Sequence, residues 1–259
     1  MTTAVHAEWT KLRTLSGAGS LMAAAVAITV AASALIIAAT HVSAGGPGRG
    51  QDPTKLALIG VDLGQAAIAV LAVLAVTDEY GCGMIRVTLA AIPRRAVMLG
   101  AKAVNVAGLT LLIAMPAVAG CLIAGRLLLP AAGLDPAHGH PLLSLAAGPT
   151  LRAACGSVIY LGLIALLSLG IGTIFRDTAV SSGIVLGLLY LPPLLAQLVS
   201  DPWHRHIQQI APMTAGLAIQ ATQNIRALPI PPWTGLGVTA AWAGAALLAG
   251  GLLLRLRDA

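Results

Sequence analysis

The chain has 259 residues, 58% of them hydrophobic and only 9% charged, where a soluble domain carries about 25% charged residues. So little polar surface excludes a water-soluble globular fold, and long unbroken apolar runs argue against a membrane β-barrel, whose short strands alternate in polarity. The formal charge of +6 does not point to nucleic acid, because the basic residues stand between and beside apolar runs, where membrane topology places them.

The class that remains is an all-α integral membrane protein, a single transmembrane domain over residues 1–259. A helix needs about 20 apolar residues to cross the hydrocarbon core. Six runs meet that length, at 20–40, 56–76, 103–124, 153–174, 179–199 and 234–254. All are rich in Ala, Gly and Leu, which predicts close helix packing.

The first run follows Lys11 and Arg13 and precedes Val42–Ala44, the pattern of a cleaved signal. Its length exceeds the usual 7–15 residues of a signal core, so it is read as a retained span. The second run carries Asp62, the one clear acid inside a span, with Gln65 one turn on. Ionisable groups in a membrane mark pathways by default. Asp62 and Gln65 are therefore candidates for a substrate path; the plainer reading places Asp62 near the headgroups, paired with Lys55.

Between the second and third runs, residues 77–102 concentrate Asp78, Glu79, Arg86, Arg94, Arg95 and Lys102. Within this loop, Ile85, Leu89 and Ile92 share one face of a short amphipathic helix. Gly81 and Gly83 permit a turn before it, and Pro93 ends it. The basic residues alone set topology, but Asp78 and Glu79 contribute little to that. A bounded helix with acids before and bases after is a handle for a partner protein.

Further on, Pro116 and Pro192–Pro193 predict kinks. Tyr190 and Gln197 on the fifth run are weaker pathway candidates. His138 and His140, and His204 and His206, form two H-x-H pairs in loops, and no metal site is assigned to them. Cys82, Cys121 and Cys155 show no paired spacing. Residues 207–225 are semi-apolar, too polar to span, and predict short helices broken near Pro212 that lie at the interface or dip in and return.

With the N-terminus inside, the inner segments hold 9 Lys and Arg in 52 positions and the outer ones 6 in 77. Both termini are therefore expected in the cytoplasm.

No G-x-x-x-x-G-K-[ST] loop is present: Lys11, Lys55 and Lys102 are the only lysines, and none follows a glycine. This chain is not an ATPase by that motif. H-E-x-x-H, G-x-S-x-G and paired intramembrane carboxylates are absent too, so no catalytic residue is assigned.

The pattern Glu79–Lys102 resembles the first inner loop of ABC-type exporter permeases of the second type, the daunorubicin-resistance-like drug-efflux subunits. Glu79, Tyr80, Gly83, Ile85, Arg86, Leu89, Pro93, Arg94 and Lys102 stand at the family's places, with Arg95 beside them. Glu8, Trp9, Lys11 and Arg13 resemble its interfacial elbow helix. Cys82 and Met84 are small departures. The resemblance implies that the loop is a coupling helix seated in a separate ATPase subunit. It further implies two ATPase copies holding ATP and magnesium, no cofactor on this chain, and a second permease subunit, identical or related. The expected location is the inner or plasma membrane, in contact with its lipids. The rival readings are an ion-coupled carrier acting alone and a membrane enzyme or assembly factor.

Overall fold

The structure is a computed structural model describing residues 18–40, 52–81, 95–134, 143–144, 147–200 and 203–256. In chain order its helices are α1 (Ala18–Ala39), α2 (Pro53–Ala57), α3 (Val61–Gly81), α4 (Arg95–Leu128), α5 (Gly148–Phe175), α6 (Thr178–Ala196), α7 (Trp203–Ile210), α8 (Pro212–Leu217) and α9 (Pro232–Leu256). Two 3-10 turns, Ala218–Gln220 and Ile225–Ala227, lie between α8 and α9. There is no strand among the described residues. Helices α1, α3, α4, α5, α6 and α9 are long and apolar enough to cross a membrane. The chain is a multi-pass, all-α membrane protein.

The second apolar run is not one helix from 56 to 76. It breaks at residues 58–60, and α3 starts at Val61. Asp52 caps α2, accepting from Thr54 N at 3.0 Å and Lys55 N at 3.3 Å, with Pro53 in the first turn. The break itself sits against α1. A Cβ on Gly60 would fall 2.1 Å from the Thr29 carbonyl, so only glycine lets the backbones approach this closely. Ser33 of α1 then serves the interrupted ladder: its Oγ donates to Ala57 O at 2.6 Å and accepts from Gly60 N at 3.0 Å. A helix break in an apolar surrounding needs such partners, because water is not there to supply them.

The third run differs in the other direction. α4 has 34 residues, about 51 Å at 1.5 Å per residue, well over the roughly 30 Å hydrocarbon core. With α3 reaching Gly81 and α4 starting at Arg95, residues 77–81 and 95–102 of the predicted loop 77–102 are helical. Lys102 does not end the apolar packing. It is 2% exposed, and its Nζ donates to Ala75 O of α3 at 3.1 Å. Helices α4 and α6 run on through Pro116 and through Pro192 and Pro193.

α5 is the central helix, packed against α3, α4, α6 and α9. A Cβ on Gly170 would lie 2.6 Å from the backbone carbon of Ala246 in α9, the close approach that small residues permit in lipid. α5 ends at Arg176, in the left-handed region at φ 59°, and Asp177 caps α6 through Val180 N at 2.8 Å.

Residues 203–220 form short helices that break at Ala211, before Pro212, as expected. They dip in and return. His204 Nδ1 meets Ala196 O at the end of α6 at 2.6 Å. Trp242 Nε1, about 15 Å along α9, donates to Ile210 O at 2.9 Å. From there the chain climbs back. Thr239 Oγ1 donates to Pro212 O at 3.0 Å, and Gly235 faces the Ala215 carbonyl. On the α5 side Tyr160, Gly156 and Arg152 meet Gly216, Ile219 and Ala221 in turn. The Gly156 and Gly235 positions leave no room for a Cβ, which would come within 2.0 Å of Ile219 Cγ1 and 1.9 Å of Ala215 O. The backbone from Ala211 to Ala221 is thereby covered by protein rather than lipid.

Candidate functional site

The return of this segment lies across the start of α3 and forms one side of an open-mouthed cavity of about 510 Å³. Asp52 and Lys55 come from α2, Asp62 from α3, and Met213, Leu217 and Gln220 from the re-entrant side.

Asp52 locks the two sides together. Besides capping α2, its carboxylate accepts from Thr222 Oγ1 at 2.7 Å, from Gln223 N at 2.9 Å and from Thr222 N. Every one of these donors is neutral. Arg152 of α5 adds a further tie, Nη2 to Ala221 O at 2.5 Å.

Below Asp62 the helices share a polar knot. Gln65, 0% exposed, donates from Nε2 to Asp62 O at 3.0 Å. Its Oε1 accepts from the hydroxyl of Tyr160, also 0% exposed. The Tyr190 hydroxyl of α6 donates to Asp62 O as well. Three spans thus converge on one turn of α3. The carboxylate of Asp62 is not consumed in this knot: only its backbone carbonyl is. Among the described residues none donates a hydrogen bond to that carboxylate, and it borders the cavity.

Of the pathway candidates, Asp62, Gln65 and Tyr190 are brought together and Gln197 is not. Gln197 follows the end of α6, is exposed and is outside the cavity lining. The apolar run to 199 overstated the helix by three residues. Asp62 and Lys55 share the cavity without forming a close ion pair. Tyr160 and Asp52 were not singled out in the sequence. An Asp-Pro pair before a helix is a start signal that marks Asp52; nothing local marks Tyr160.

At the opposite ends of α3 and α4, Tyr80 packs beside Met98, Leu99 and Leu254, and the Arg176 guanidinium carbon lies 5.2 Å from its ring centroid. That is a cation–π contact. Gly83, Ile85, Arg86, Leu89, Pro93 and Arg94, with the short amphipathic helix predicted there, and Glu8, Trp9, Lys11 and Arg13 lie outside the described residues. The side chains of Glu79 and Arg95 do too.

His204 uses both ring nitrogens on Ala196 O and Gln208 Nε2, the latter at 2.8 Å. His138 and His140 are outside the described residues. No family model matches the chain, and no curated protein matches it.

Proposed function

We propose that this chain is the membrane-spanning permease subunit of an ATP-driven ABC-type exporter in the inner or plasma membrane. ATP is hydrolysed by a separate ATPase, two copies per complex, and a second permease subunit completes the pathway. The observation that carries this reading is how the segment 82–94 is mounted. On one side Tyr80 is held by Arg176 and by the Met98, Leu99 and Leu254 cluster. On the other, Lys102 is buried and bonded to Ala75. A push on a segment so anchored passes directly into α3 and α4. The residue pattern Glu79–Lys102 supports the same reading, as does the re-entrant segment before the last span.

Closure of the ATPase releases substrate outward only if the substrate's affinity differs between the two states of the permease. α3 carries both the anchored end, at Tyr80, and the cavity acid, Asp62, so one rigid helix links them.

The rival ion-coupled carrier draws on one observation, the unengaged Asp62 carboxylate. Variants separate the two. In the exporter, Glu79→Ala or an Arg94→Ala/Arg95→Ala pair leaves the ATPase active but no longer stimulated by the permease. In a lone carrier, Asp62→Asn abolishes transport and Glu79→Ala does not. ATP hydrolysis and transport, both measured on the co-expressed complex in proteoliposomes, read the difference.

A further inference from the structure

The cavity beneath the re-entrant segment has a charge count that its own residues do not balance. Three titratable groups line it: Asp52, Lys55 and Asp62. Asp52 is surrounded by neutral donors, which stabilise its charge without cancelling it. Lys55 is exposed at the cavity rim, and Asp62 sits seven residues further along the chain, half-buried, with no close ion pair between them. The formal sum is one negative charge in a cavity whose remaining wall is mainly apolar, with Leu56, Ile59, Met213, Leu217 and Ile230, and whose other polar side chains, Gln208, Thr214 and Gln220, are neutral. A carboxylate in such a wall is costly without a counter-charge. The volume, about 510 Å³, is that of a small-molecule site.

We propose that this cavity binds a monocationic amphiphile, its ammonium against the Asp62 carboxylate and its apolar body against Ile59, Met213 and Leu217. The ligand supplies the one charge that the lining lacks. It also accounts for why Gln65 and Tyr190 engage the Asp62 carbonyl, with Tyr160 bonded to Gln65 behind them, and leave the carboxylate open: the knot fixes this turn of α3 while the acid stays available. An anionic ligand would meet Asp62 and Asp52 at the expense of Lys55 alone. A neutral one would leave the charge uncompensated. This names a substrate class for the exporter reading, and its test does not depend on that reading, since binding is measured without ATP.

The experiment is titration calorimetry on the full chain, with any copurifying subunits, in phosphatidylcholine nanodiscs. The probes are octylammonium, octanol and octanoate, with empty nanodiscs as reference. The proposal expects saturable binding of one octylammonium per chain, with octanol and octanoate at least about tenfold weaker. Asp62→Asn lowers octylammonium affinity about tenfold or more. Lys55→Gln, at an exposed position, raises it roughly threefold by removing a competing cation. A merely structural Asp62 does not produce that opposite sign. Octylammonium uptake no greater than in empty nanodiscs, equal binding of octanol, or unchanged affinity in both variants overturns the proposal. If Asp62→Asn is not monodisperse, the sign of the Lys55→Gln effect decides.

Discussion

Asp52 and Thr222 are 170 residues apart in the chain and meet twice, through the Thr222 hydroxyl at 2.7 Å and through its backbone N–H. One carboxylate thereby caps α2 and fastens the returning end of the re-entrant segment over the cavity. The segment is positioned by this tie at one end and by glycine contacts with α5 and α9 at the other.

Asp52→Ala removes a helix cap, worth about 1 kcal/mol, and charge-assisted bonds worth about 1.5–3 kcal/mol. The expected loss is about 2.5–4 kcal/mol of stability. Hydrogen exchange should speed up together in residues 53–57 and 221–223, while α5 keeps its protection. Unchanged exchange at 221–223 would show that the tie is not what holds the segment.

Gly156→Ala places a Cβ within 2.0 Å of Ile219 Cγ1. Overpacking of this kind costs about 1–3 kcal/mol. Ile219→Ala frees the space that the new methyl needs. The double variant should therefore be more stable than the sum of the two single losses predicts, with a coupling of about 0.5–3 kcal/mol. Thermal unfolding of the four proteins in detergent completes the cycle.

Tyr160→Phe leaves Gln65 Oε1 buried without its donor, at a cost of about 1–3 kcal/mol. Adding Gln65→Met removes the stranded acceptor and should recover part of the loss. Strictly additive effects would contradict the pairing of Tyr160 with Gln65 seen here.

Lys102→Met cuts the bond to Ala75 O that joins α3 to α4 beside the segment 82–94. A hydrogen bond from a charged donor is worth about 1.5–3 kcal/mol. The permease should still fold, since Met fills a similar volume. Its stimulation of ATP hydrolysis by the partner should fall more than its Tm does.

The spans were legible because each is a run of about 20 apolar residues, and Asp62 because a charge inside such a run stands out. The break at residues 58–60 was not. An apolar window averages across it, and its cause lies in α1, where Ser33 and Thr29 receive Gly60. Asp52 shows its capping role in the Asp-Pro pair, but its hold on Thr222 depends on a fold that brings distant residues together. Tyr160 lies in an apolar run where a tyrosine has many uses, and its partner is 95 positions away. Gln197 was misplaced for the opposite reason: hydropathy continues past the point where α6 stops. Lys102 was counted as a loop charge because sequence does not show that a lysine at a helix crossing finds a carbonyl.

The central claim is that an ATPase on another polypeptide drives this chain. The most direct measurement is affinity purification from its native membrane in mild detergent, with mass spectrometry of the bound proteins. The account predicts a stoichiometric partner carrying a G-x-x-x-x-G-K-[ST] loop, lost when Arg94 and Arg95 are both changed to alanine. A homogeneous oligomer of this chain alone, with no such partner under any mild detergent, would contradict it.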